Sequence, residues 1–116
     1  MKSWTFAVPG SPVPKGRPRL GKAGVYTPKR TKAYELKVAQ CALAAGTRCA
    51  PAGRRVSLEI EAYLKREADL DNLVKSVSDA LNGIAYLDDR QVTQLVARKQ
   101  MDDNPHLVVR LRWIEV

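Results

Sequence analysis

The residues best suited to chemistry in this 116-residue chain are acidic and close together. Asp69 and Asp71 lie where a predicted strand gives way to a predicted helix, and an extended backbone there would point both carboxylates to one side. Neighbouring carboxylates repel each other unless a proton or a cation lies between them, and Mg²⁺ prefers oxygen ligands. The pair therefore indicates a metal site, although Asp71 could instead be an ordinary helix N-cap.

A second acidic pair, Asp88-Asp89, follows the predicted helix. Because a helix of about twelve residues is roughly 18 Å long, the chain must fold back for the two pairs to meet. A strand over 92–100 lying beside one over 56–64 would bring its start near the end of the earlier strand. That adjacency is an assumption, and the alternative for Asp88-Asp89 is a solvated turn.

Lys75 lies one helical turn beyond Asp71 on the same polar face. It could simply form an i, i+4 ion pair with that aspartate, which contributes a few tenths of a kcal/mol. Beside metal-bound carboxylates, a fixed cation would instead stabilise the charge that builds on phosphate oxygens during phosphoryl transfer.

Positive charge is concentrated in the first half of the chain. Residues 1–55 hold twelve Lys or Arg and one acid, a net charge of +11, whereas residues 56–116 carry a net −3, which together give +8. From Pro9 to Pro28 the chain has five prolines and four glycines and no apolar periodicity, which predicts an extended loop. We call this loop and the turn after it the basic arm. Its cations are expected to bind nucleic acid, with a merely solubilising cationic surface as the alternative: Lys15, Arg17, Arg19, Lys22, Lys29, Arg30 and Lys32.

The apolar spacing predicts an α+β fold of one domain, in which two helices pack on a mixed sheet of about four strands. Thr27 and Pro28 suit the start of the first helix and Gly46 its end. The sheet residues Phe6, Trp4 and Trp113 are predicted to be core more often than interface. The predicted order is βαβαββ, with strands at 4–8, 56–64, 92–100 and 107–115 and helices at 28–45 and 71–82.

Composition narrows the class of protein. With 45% hydrophobic and 28% charged residues, the chain is expected to fold. No apolar run approaches the roughly 20 residues of a membrane helix, and no signal peptide is evident, so we expect no membrane partner and a cytoplasmic location. Two cysteines and one histidine are too few for a zinc site, and Cys41 and Cys49 are expected to be reduced, although their spacing permits a disulfide.

Taken together, these segments resemble the RusA family of Holliday junction resolvases. The resemblance rests on Asp69-Leu70-Asp71-Asn72-Leu73-Val74-Lys75, Asp79-Ala80-Leu81-Asn82-Gly83 and Asp88-Asp89-Arg90-Gln91-Val92, in that order. Pro14-Lys15-Gly16-Arg17-Pro18-Arg19 resembles the family's basic N-terminal segment. The resemblance spans nearly the whole chain, so residues 1–116 are expected to form a single RusA-like endonuclease domain.

The resemblance implies a homodimer that binds a four-way DNA junction and nicks two opposed strands symmetrically with Mg²⁺, in DNA recombination and repair. By position, Asp69, Asp71 and Asp89 match the family's catalytic acids, Lys75 its essential lysine, and Asp88 the neighbouring acid of the second pair. The metal ligands are then expected among Asp69, Asp71, Asp88 and Asp89.

Two other functions fit the residues. The chain could be a non-catalytic, basic DNA-binding or architectural module in which the acids cap a helix and decorate turns. It could also be a nuclease for flaps or other branched DNA. The sequence does not decide between one and two metal ions, and it does not show base preference or the dimer interface.

Overall fold

The predicted α+β architecture is confirmed in the computed structural model, which describes residues 2–16, 19–22 and 24–114. Two helices and a mixed four-stranded sheet follow one another in the predicted order, with a small hairpin added near the N-terminus. The elements are β1 (Ser3–Pro9), β2 (Arg19–Gly21), β3 (Gly24–Tyr26), α1 (Lys29–Ala44), β4 (Val56–Leu64), α2 (Leu70–Leu81), a 3₁₀ turn (Asp89–Gln91), β5 (Val92–Met101) and β6 (His106–Trp113).

The main sheet has the strand order β1-β6-β4-β5. β4 and β5 are parallel and are connected through α2, whereas β6 runs antiparallel to both β1 and β4. The register pairs Val56 with Val92 and Leu64 with Met101. The start of β5 therefore lies beside the start of β4, and the expectation that it approaches the end of β4 is wrong.

The hydrophobic core lies between the two helices and one face of this sheet. Alternate residues of β4 point into it, and each of them is at most 2% exposed. Phe6 belongs to this core, as predicted, while Trp4 and Trp113 pack at its margin with ring centroids 5.6 Å apart. The helices contribute Tyr34, Val38, Ala42, Leu73, Val77 and Leu81.

The region predicted as one long loop contains the hairpin of β2 and β3. Its strands are three residues each, too short to give a periodic apolar signal, and Gly24 makes the turn with a φ of +107°. The start of α1 also differs, because Pro28, not Thr27, is the N-cap residue and provides no side-chain hydrogen bond. Gly46 follows the end of α1 with a φ of +82°, as predicted.

β5 forms one edge of the sheet, and its apolar side chains are poorly covered. Leu95 and Met101 are 50% and 56% exposed, although their register partners Leu58 and Leu64 are buried beneath the helices. Long exposed edge strands with apolar side chains tend to pair with another strand. This edge is therefore the part of the sheet most suited to contact with a second chain.

The structure also describes the state of the cysteines and the length of the helices. Cys41 and Cys49 are both free thiols. Among the described residues, neither helix is long and apolar enough to cross a membrane.

Candidate active site

The first acidic pair lies at the N-terminus of α2. Asp69 is the N-cap residue, with extended backbone angles, and its carbonyl accepts the Leu73 N–H at 3.1 Å. Asp71 is already helical, so the extended arrangement predicted for the pair ends at Asp69. The alternative interpretation of Asp71 as the helix N-cap is wrong, because Asp69 occupies that position, and the Asp69 side chain makes no capping hydrogen bond.

The loop that leads into α2 is held against the neighbouring strands. Lys99 of β5 donates to the Ala68 carbonyl at 2.9 Å and to the Glu67 carboxylate, and this lysine holds the pKa of Glu67 below its usual range. At the end of β4, the Asp102 N–H donates to the Leu64 carbonyl at 2.8 Å. These contacts fix the position of Asp69 relative to the end of the sheet.

The start of the basic arm lies beside this acidic pair. The Lys15 N–H donates to the Asn72 carbonyl at 2.8 Å, and the Gly16 N–H donates to Oγ1 of the buried Thr31 at 3.1 Å. A cleft of about 400 Å³ opens between the arm, α1 and α2. Its walls include Val13, Pro14, Lys15, Gly16, Pro28, Arg30, Thr31, Asp69 and Asn72.

The chemistry of these donors fits Mg²⁺. The Asp69 and Asp71 side chains are exposed, and neither forms an ion pair with any residue that the structure describes. The Asn72 amide donates to Asp69 Oδ2 over 3.4 Å. Since Mg²⁺ is commonly bound by one or two carboxylates together with waters and substrate phosphates, the Asp69 carboxylate in the wall of the cleft and the exposed Asp71 carboxylate are a suitable donor set.

A larger ligand set is not assembled among the described residues of one chain. Across residues 2–16, 19–22 and 24–114, no three His, Cys, Asp or Glu side chains come together as a potential metal site. Asp69 follows the end of β4, whereas Asp89 precedes the start of β5, and the two strands are parallel and in register. The acidic pairs therefore lie at opposite ends of a nine-residue strand, which spans roughly 26 Å.

Asp88 has a structural function at its end of the sheet. Its carboxylate accepts the Arg90 N–H at 2.9 Å and forms an ion pair with the Arg90 guanidinium, also at 2.9 Å. The side-chain hydrogen bond from Arg90 is the main reason that the pKa of Asp88 falls to about 2. Its oxygens are thus already engaged, which argues against Asp88 as a metal ligand.

Gln91 fixes the turn that carries the second pair. Its side-chain oxygen accepts the Leu87 and Asp88 N–H groups, and its amide donates to the carbonyls of Pro51 and Arg54 at 2.8 and 2.9 Å. Sequence reasoning did not assign Gln91 a role, although Asp88-x-x-Gln91 has the spacing of a capping box. Asp89 is exposed and forms no ion pair with a described residue.

Lys75 lies on the polar face of α2, one turn from Asp71 and one turn from Asp79. It is exposed, and in the described part of the chain it has no ion-pair partner. The alternative interpretation of Lys75, an i, i+4 ion pair with Asp71, is absent from these contacts, so the ammonium is available to a ligand.

The predicted DNA-binding cations have different surroundings. Lys22, Lys29, Arg30 and Lys32 are exposed, and Arg30 lines the cleft beside Asp69. Lys15 is instead neutralised by Glu35 and Asp79, with Nζ at 2.7 and 3.0 Å from their oxygens. Of the remaining two, Arg17 lies outside the described residues, and only the backbone of Arg19 is described.

Two cations that sequence reasoning missed lie next to this cleft. Lys65 and Arg66 are exposed and line a groove of about 540 Å³, which shares Pro14 and Arg30 with the cleft at Asp69. Their position four and three residues before Asp69 in the sequence was the available signal. A polyanion could therefore contact Arg30, Lys65 and Arg66 on its way to the carboxylates.

Comparison with known proteins identifies the family of this chain. The family described as endodeoxyribonuclease RusA matches residues 9–112. A protein of Bacillus subtilis (strain 168), described as uncharacterized protein YqaN, is 31% identical over 136 aligned positions, covering 94% of this chain and 95% of the relative. The chain belongs to the RusA family of endodeoxyribonucleases, whose members act on branched DNA.

Proposed function

We propose that this protein is a Mg²⁺-dependent, structure-selective endodeoxyribonuclease that resolves four-way DNA junctions in recombination and repair by paired symmetric nicks. The observation that carries the proposal is the pair of exposed carboxylates at the start of α2, Asp69 and Asp71, which have no ion-pair partner among the described residues. Asp69 lines a cleft whose neighbouring groove carries Arg30, Lys65 and Arg66. The RusA family membership supports the substrate class.

The residues have separate parts in the proposed reaction. Asp69 and Asp71 would hold Mg²⁺, which when bound supplies Lewis-acid stabilisation of the phosphate and favours loss of a proton from the attacking water. Lys75 stabilises the charge that develops on the phosphate oxygens. Arg30, Lys65 and Arg66 hold the sugar–phosphate backbone, because favourable phosphate contacts must outweigh the repulsion between DNA and the acids.

The position of Asp89 connects this proposal to a homodimer. Within one chain Asp89 lies at the far end of β5 from Asp69, yet the family resemblance assigns both to catalysis. A second copy paired antiparallel along β5 would reverse the direction of the partner strand. Asp89 of that copy would then lie at the end of the sheet that carries Asp69 and Asp71.

The edge of β5 supports such pairing. The strand is ten residues long, and Leu95, Val96 and Met101 are each about half exposed. Pairing through β5 would satisfy the backbone groups of the edge and cover these side chains. In this arrangement each cleavage site takes Asp69, Asp71 and Lys75 from one copy and Asp89 from the other.

The experiment that tests the proposed function uses a synthetic four-way junction with and without Mg²⁺. We expect paired nicks with Mg²⁺ and none without it. Asp71→Asn should abolish nicking while DNA binding is retained, because removal of a negative charge does not weaken a phosphate contact. Binding without nicking by the unsubstituted protein would instead support a non-catalytic DNA-binding module.

A second comparison tests the selectivity for junctions. Flaps and linear duplex of the same sequence are offered to the protein under the same conditions, and we expect slower cleavage of both than of the junction. Equal rates on all three substrates would contradict the junction selectivity and leave a nuclease for branched or general DNA.

A further inference from the structure

The contacts of Lys15 have a consequence for Lys75. Lys15 extends from the arm into the space between α1 and α2, where its side chain is only 17% exposed. It pairs there with Glu35 of α1 at 2.7 Å and Asp79 of α2 at 3.0 Å. Burial alone would lower the pKa of Lys15, but the bonds and charges of the two acids outweigh it and raise the pKa above its usual value.

Asp79 lies between two lysines that could each pair with it. Residues four apart on a helix are neighbours, so Lys75 lies one turn from Asp79 on the polar face of α2. Because Lys15 occupies the Asp79 carboxylate, that carboxylate is less attractive to a second cation. Lys75 accordingly has no ion-pair partner among the residues that the structure describes.

We propose that Lys15 is a positioning residue for Lys75: by occupying Asp79, it leaves the Lys75 ammonium available to the phosphate beside Asp69 and Asp71. The inference rests on the proposed function for its catalytic consequence, but the competition for Asp79 is a property of the protein alone. It also gives Lys15 a different function from DNA binding, which its position in the basic arm had suggested.

The catalytic test compares three variants at saturating DNA and Mg²⁺. In Lys15→Met, Lys75 turns to Asp79, and we expect the rate constant for nicking to fall about twofold with little change in DNA affinity. Adding Asp79→Asn should restore the unsubstituted rate, whereas adding Glu35→Gln should leave the rate about twofold lower. Lys15→Met leaves both Glu35 and Asp79 without this cation, and each double variant removes one of the two charges. If Lys15 only stabilised the fold, the two double variants would nick at equal rates, and that result would overturn the inference.

A second measurement needs neither DNA nor metal. The carboxyl carbon signal of Asp79, observed by NMR in the intact protein, reports which cation lies beside it. Lys75→Met should leave this signal nearly unchanged when Lys15 is present and should shift it clearly in the Lys15→Met background. An equal response in both backgrounds would contradict the inference even if the protein cleaves junctions, while the expected response would support it even if no DNA is cleaved.

Discussion

The two acidic pairs of this protein have the same kind of side chain but opposite surroundings. At the start of α2, Asp69 lines an open cleft, and neither Asp69 nor Asp71 forms an ion pair within the described residues. Before β5, Asp88 is held by Arg90 and caps a 3₁₀ turn, while its neighbour Asp89 is exposed. The comparison shows that two acids adjacent in sequence need not have the same role. The first pair is open to a ligand, whereas in the second pair Asp88 is structural and Asp89 is available.

The largest expected effect on nicking comes from substituting one acid of the second pair and not the other. Asp89→Asn should reduce the nicking rate by about 10²-fold or more, because it removes a proposed participant in transition-state stabilisation. Asp88→Asn is the matched control, and it should nick at nearly the unsubstituted rate, since asparagine is also a good N-cap. Single-turnover cleavage of a labelled junction measures both, and equal losses in the two variants would contradict the division.

A charge on the edge strand β5 should prevent the pairing of two copies that the proposed site requires. Leu95→Lys places an ammonium where β5 would pair, so we expect a monomer and at least about tenfold slower nicking at low protein concentration. Leu36→Lys, on α1 at a side chain that is 60% exposed, should change neither property. Sedimentation velocity gives the mass, and a monomeric Leu95→Lys protein with full activity would show that one chain is sufficient.

The groove beside the first pair should contribute more to DNA binding than surfaces distant from it. Lys65→Gln removes one phosphate contact, and we expect the slope of log K against log salt to become shallower by about 0.9. Arg48→Gln removes an exposed charge beyond the end of α1 and should leave the slope unchanged. Fluorescence anisotropy over a salt series measures both slopes, and equal changes would remove the reason to place DNA in the groove.

The smallest effect concerns the stability of the turn at Asp88. Hydrogen bonds from Arg90 place the pKa of Asp88 at about 2, below the value of about 3.9 in an unfolded chain. The stabilisation by this carboxylate is therefore fully present above pH 4 and is lost as the pH falls towards 2. Thermal unfolding of the unsubstituted protein and of Asp88→Asn should differ slightly at pH 5 and converge near pH 2, and a difference that grows on acidification would contradict this account.

Much of the fold could be predicted from local patterns. β4 alternates buried and half-buried side chains over nine residues, and α2 has one apolar stripe, so both elements were bounded to within a residue or so. The hairpin of β2 and β3 was missed because three-residue strands carry no period. The assumed adjacency of β4 and β5 is confirmed, but their relative direction could not be predicted, and the parallel register of Val56 with Val92 is what separates the acidic pairs.

The candidate site was predictable in its residue types and less so in its geometry. Asp71 and Lys75 are neighbours because they lie four residues apart on one helix, a local relation that spacing fixes. The ion pairs of Lys15 join residues that are 20 and 64 positions distant in sequence, and no local pattern encodes them. The same holds for the groove, where Arg30 of α1 meets Lys65 and Arg66 only after folding.

The most direct test of the proposed two-chain site mixes two inactive proteins. Asp71→Asn and Asp89→Asn are each expected to be inactive, but a mixed dimer would hold one intact site, with Asp69 and Asp71 from one copy and Asp89 from the other. If the subunits exchange freely, half of the dimers are mixed and each has one working site, so we predict that about a quarter of the nicking activity returns and that junctions are nicked on one strand. No recovery, after exchange of subunits has been demonstrated, would contradict a site shared between two copies.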